Sequence, residues 1–143
     1  MSKLFKLSFL LLLVGQPLLA QDAKPDAYQD SLQNVIATSA SGETKKEALF
    51  LLGEHLVQRD PDLAEKIAED LKRSYLKGSD SSNILRNNYI FAASHRWHGD
   101  YKTALEYYQT IYDYSKRHKD SINIAESGHF IGTINMFLGN NVL

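Results

Sequence analysis

The sequence predicts an all-α fold, an α-solenoid of antiparallel helix pairs about two and a half repeats long, on three observations. First, two segments align at a constant offset of 40 residues: DPDLAEKIAEDLKRSYLK from Asp60 and GDYKTALEYYQTIYDYSK from Gly99 set Ala64 against Ala104, Ala68 against Tyr108 and Leu71 against Ile111. Second, the blocks that flank them, ALFLLGEHLVQ (Ala48 to Gln58), NNYIFAASHRWH (Asn87 to His98) and ESGHFIGTINMFLG (Glu126 to Gly139), carry apolar residues at helical spacing, as at Leu49, Leu52, Gly53 and Leu56. Third, turn and capping residues fall between the blocks at the places where paired helices need them.

The N-terminal 20 residues are expected to lie outside the fold. Lys3 and Lys6 precede an apolar core from Leu7 to Val14, helix-breaking Gly15, Gln16 and Pro17 follow, and Ala20 is a small residue suited to cleavage before Gln21. This is the layout of a secretory signal peptide, and its apolar stretch is far short of the ~20 residues that span a bilayer. Leu18 departs from the pattern, since signal peptidase usually meets a smaller side chain there. The expected location is the periplasm or the outer face of the inner membrane, with no membrane span in the mature chain. Removing Lys3 and Lys6 takes the balance from 16 basic against 17 acidic residues to 14 against 17, a net charge of −3.

Residues 21–42 read as a lead-in that carries a helix of its own, and residues 43–143 as the repeats, at 43–78, 82–118 and an incomplete 121–143. In the first repeat Asp60 caps the second helix and Pro61 takes its first position, where a missing N–H and a fixed φ do no harm. Lys77-Gly78-Ser79-Asp80-Ser81-Ser82 is a polar loop to the second repeat, where Gly99-Asp100 makes the turn between helices. The run Lys116-Arg117-His118-Lys119-Asp120 leads to the third and reads as a solvated helix end favoured by the helix dipole, not as a basic binding patch. Gly53, Ala92 and Gly132 recur mid-helix; a helical glycine costs ~1 kcal/mol relative to alanine, which close approach of a neighbouring helix offsets. Beyond Gly139 the register calls for another helix, so the chain is expected to be a piece of something longer, with an apolar last helix (Phe130, Ile131, Ile134, Met136, Phe137, Leu138) open to self-association.

Gly99-Asp100-Tyr101 followed by Ala104, Tyr108 and Ile111 resembles the signature of the tetratricopeptide repeat, whose paired helices pack through small and aromatic residues. The 40-residue period exceeds the usual 34 and is similar to the longer repeats of exported bacterial sensor proteins, in which such repeats precede a membrane helix and a kinase or DNA-binding output. Ser31 to Ser74 resembles the opening repeat of those sensors, and the likeness runs from about Tyr28 to the C-terminus. Asn88, His95 and Asn135 depart from it, standing where the family buries bulkier groups. The resemblance implies a non-catalytic scaffold for a protein or peptide, as the exported sensor segment of a signalling protein. The alternatives are a stand-alone periplasmic adaptor for envelope assembly and, more remotely, a metal-binding or enzymatic helical domain.

The chemistry in the sequence favours binding over catalysis. Hydrophobic residues at 43% and charged residues at 23% are the balance of a folded domain, and a net charge of −1 provides no footprint for a nucleic-acid backbone. Cysteine is absent, which excludes disulfides, thiolate metal sites and a thiol nucleophile. No nucleophile elbow, phosphate loop or dinucleotide fingerprint occurs, so no enzymatic activity and no cofactor are expected. His95 and His98, with Asp100 following, share a helix face but lack the further ligands and spacing of a zinc site. Tyr101, Tyr107, Tyr108, Tyr112 and Tyr114 crowd one helix, where core packing is the ordinary role.

In stacked helix pairs the first helices line a concave groove, and the register predicts its occupants. They are Glu47, Phe50 and Glu54; Arg86, Tyr89, Ala93, Arg96 and Trp97; and Glu126, His129, Thr133 and Met136. Of these, Phe50, Glu54, Arg86, Tyr89, Arg96, Trp97 and His129 are the candidate partner contacts, with Arg86 and Arg96 suited to carboxylates and Tyr89 or Trp97 to an aromatic anchor role. The lysine and asparagine clamp that the family uses for carboxylates is not evident.

Overall fold

Short polar side chains start the helices by bonding amide groups that have no partner within the helix. A computed structural model of the chain describes residues 26–77 and 81–139, so the expected signal peptide lies outside the described residues. Asp26 accepts from the Tyr28 and Gln29 amides and opens α1 (Ala27–Thr38); Ser41 accepts from Thr44 at the start of α2 (Gly42–Leu56). Asp60 accepts from Leu63 at α3 (Pro61–Ser74), where Pro61 takes the first turn as expected. After α4 (Ser81–Trp97), Asp100 accepts from Thr103 at α5 (Tyr101–His118) and Asp120 from Asn123 at α6 (Ser121–Phe137). The described residues contain these six helices and no strand.

The turn before Asp100 needs a left-handed residue, and Gly99 provides it at φ 77°. Lys119 adopts the same region at φ 59° between α5 and α6, where no glycine is present. The expected lead-in helix is α1. It is tied to α2 by Asp26, which lies 2.5 Å from His55 Nε2 and 2.9 Å from Arg59 Nη1, while Tyr28 packs edge-on against the His55 ring at 5.1 Å.

Each helix packs against the next in the chain, and α2 also touches α4. Ala64, Ala68 and Leu71 on α3 are buried, and so are their 40-residue counterparts Ala104, Tyr108 and Ile111 on α5. Two apolar clusters result. The first gathers Phe50, Leu52, Leu56, Ile67, Leu71, Ile90 and Phe91, from α2, α3 and α4; the second gathers Ala92, Ala104, Tyr108, Ile111 and Ile134, from α4, α5 and α6. Tyr89 and Tyr107 pack against both.

The three mid-helix small residues are not equivalent. Ala92 is fully buried and Gly53 is closed in, for a Cβ there would lie 2.9 Å from Ile90 Cδ1 and 3.4 Å from Ile67 Cγ2. A Cβ at Gly132 meets nothing within 4 Å, so the expected close approach is absent at that position. Gly132→Ala should therefore raise stability by about 0.5–1 kcal/mol in chemical denaturation, since alanine gains helix propensity there without a clash. Gly53→Ala should gain less, because buried Ile90 has to move its terminal methyl; equal gains at both sites would refute the packing difference.

Asp26, Asp100 and Asp120 all lie below the ordinary aspartate value of 3.8. The hydrogen bond with His55 is the main cause for Asp26, the Thr103 side chain and amide for Asp100, and the Asn123 amide and side chain for Asp120. A carboxylate lowered on folding contributes stability that is complete above its unfolded value and fades as pH falls through its folded one. Thermal melts followed by circular dichroism should thus lose midpoint temperature below about pH 4. Asp100→Asn with Asp120→Asn keeps capping groups that do not titrate, so the double variant should lose less over the same window.

Candidate binding groove

Helical spacing places Ser82, Leu85, Arg86 and Tyr89 on one face of α4. These residues line one wall of an open groove of about 630 Å3. Glu54 of α2, Ile111 and Tyr114 of α5, the cap residue Asp120, and Asn123 and Glu126 of α6 line it as well.

Arg86 is held within the fold. Its guanidinium donates from Nε and, at 2.9 Å, from Nη2 to the Glu54 carboxylate, while Nη1 donates to both Glu47 oxygens at 3.0 and 2.9 Å. It also lies over the Phe50 ring, 4.7 Å from the centroid. The two carboxylates raise its pKa further above the usual arginine value, against the effect of burial. The pairing of Arg86 with a partner's carboxylate is thus corrected: its donors are already engaged. Phe50 is corrected as well, because it is fully buried beneath Arg86 and no partner reaches it. Ala93, at 1% exposure, is likewise core and not groove lining.

Tyr89 is half-buried at the inner end of the groove. Its ring meets Tyr108 edge-on at 6.2 Å and Phe130 at 6.3 Å. Burial raises the phenol pKa, and the Glu126 charge and hydrogen bond add to the shift. Tyr89 therefore stays protonated at neutral pH, with the Glu126 carboxylate close by.

Arg96, Trp97 and His129 gather separately around Phe130. The Arg96 guanidinium stacks over Trp97 and over Phe130, 5.0 Å from each centroid, and His129 packs edge-on against Phe130 at 5.4 Å. Trp97 is 48% exposed. Tyr108 stacks on Phe130 at 4.8 Å and is fully buried, which raises its phenol pKa. Its hydroxyl faces Arg96, yet neither that hydroxyl nor Arg96 Nε completes a well-formed hydrogen bond.

The structure thus brings Glu54, Arg86 and Tyr89 to one groove, whereas Arg96, Trp97 and His129 do not line it and meet Tyr89 by way of Phe130. A register confined to the first helix of each pair could not find Tyr114 on α5 or Asp120 in the turn before α6. His95 and His98 face carboxylates: His95 lies 3.3 Å from Asp100 and 3.6 Å from Glu65, and His98 lies 2.9 Å from Asp62. Among the described residues no three histidine or acidic side chains are grouped so as to hold a metal ion. No described helix is long and apolar enough to cross a membrane. No family model, curated protein or solved structure matches the chain.

Proposed function

We propose that the chain is a non-catalytic tetratricopeptide-like scaffold, an α-solenoid of helix pairs, that holds a protein or peptide segment as the exported sensor part of a signalling protein. The observation that carries this reading is the groove itself: its α2–α4 wall is set before any partner arrives, by the buried Phe50 ring with Arg86 held over it by Glu47 and Glu54. A wall ordered in advance lowers the entropy cost of capturing an extended segment. The 40-residue offset between the buried faces of α3 and α5, and the contact of α2 with α4, support the solenoid part of the proposal. Export rests on the pattern from Lys3 to Ala20.

A photo-crosslinking residue in place of Tyr114 tests the binding reading in cells. Tyr114 should yield a discrete protein or peptide adduct, and Gln109, exposed elsewhere on α5, should not. Equal adducts at both positions, or none at either, would reject the groove. Fractionation with N-terminal sequencing tests export, with a mature start at Gln21 as the expected result.

A further inference from the structure

The groove has more negative charge than its own cation balances. Glu47, Glu54, Asp120 and Glu126 stand on or beside its walls, and Arg86 is the basic residue among its lining. One guanidinium is shared between Glu47 and Glu54, and Asp120 is occupied by the Asn123 amide at 3.1 Å and side chain at 2.7 Å. Glu126 is exposed in the groove lining and, among the described residues, forms no ion pair with a lysine or arginine. Lys116, Arg117 and Lys119 precede Asp120 in the chain but do not line the groove. Arg96 lies beyond Tyr89, stacked on Trp97 and Phe130. Next to the carboxylates, Leu85 and Tyr114 supply an apolar strip.

We propose that the groove takes an extended peptide segment with a lysine or arginine side chain next to an apolar one, the cationic head at Glu126 and the apolar residue on Leu85 and Tyr114. A partner anion is disfavoured there, since it would meet carboxylates with Arg86 already engaged. Charge complementarity of this kind selects partners and speeds their encounter more than it adds raw affinity. The assignment rests on the peptide-scaffold reading and adds the chemistry of the partner.

The test uses the full chain and dye-labelled peptides followed by fluorescence anisotropy: a repeated Gly-Lys-Leu peptide, its Gly-Glu-Leu counterpart, and spermidine as a competitor. The lysine peptide should bind more tightly than the glutamate one, and Glu126→Gln should weaken it about five- to tenfold. Glu43→Gln on exposed α2, away from the groove, should change it by less than about twofold. Circular dichroism checks that the exposed Glu126→Gln substitution leaves the helices intact. Lysine-peptide binding that ignores Glu126→Gln marks diffuse attraction to an acidic chain and overturns the proposal. Preference for the glutamate peptide, lost on replacing Tyr114, overturns the charge assignment and keeps the scaffold. Spermidine competing at equal affinity with the same Glu126 dependence points to a small polycation and rejects a peptide. No binding by either peptide removes the scaffold reading together with the assignment.

Discussion

Tyr108→Ala should lower the unfolding free energy by about 3–5 kcal/mol, the range for truncating a fully buried aromatic whose cavity cannot collapse. The side chain is sealed, stacked on Phe130 and edge-on to Tyr89, so three helices lose contact at once. Tyr108→Phe removes only the hydroxyl, which makes no well-formed hydrogen bond and faces Arg96. Leaving a buried donor unsatisfied costs about 1–3 kcal/mol, so its removal should be neutral or stabilising. Urea denaturation of the two variants separates the ring from its polar atom. A phenylalanine variant as unstable as the alanine one would show that the hydroxyl is engaged after all.

Phe50→Ala should be the second large loss, again about 3–5 kcal/mol. Phe50 is fully buried in the first cluster and also supports the Arg86 guanidinium. Arg86→Met, by contrast, keeps an apolar stem over Phe50 and removes partly exposed ion pairs to Glu47 and Glu54. Such pairs contribute about 1 kcal/mol or less, so this variant should cost far less than Phe50→Ala. Arg86→Met losing as much as Phe50→Ala in the same urea titration would mean that the ion pairs, not the ring, hold the α2–α4 wall.

Much of the helical framework was legible because its determinants are local. Asp60 with Pro61, and Gly99 with Asp100, act on amides a few residues away, and the burial of Ala64 and Ala104 follows from spacing along one helix. The site was legible only in part, because whether a side chain reaches a partner depends on what the neighbouring helix presents. Phe50 and Arg86 share the face predicted for them, but Glu47 and Glu54 draw the guanidinium down over the ring and bury it. Gly132 matched Gly53 in register, yet crowding comes from Ile90 and Ile67, and no counterpart of these crowds Gly132. Tyr114 and Asp120 lie outside any first-helix pattern and enter the groove from the last turns of α5 and from the α5–α6 turn.

Tyr89 and Tyr107 are the two residues that pack against both apolar clusters, and the segment from Ile90 to Ala93 divides its side chains between them. The two clusters therefore meet along a seam on α4 and at Tyr107 of α5. In native-state hydrogen exchange, amides of α6 should open in a sub-global event that leaves α2 and α3 protected. Because Tyr89 is at once part of that seam and of the groove wall, an occupant resting on it stabilises the closed seam by mass action. Binding would then be read out as slower exchange along the length of α6, which meets the bound segment directly at Glu126 and reaches the seam through Tyr89.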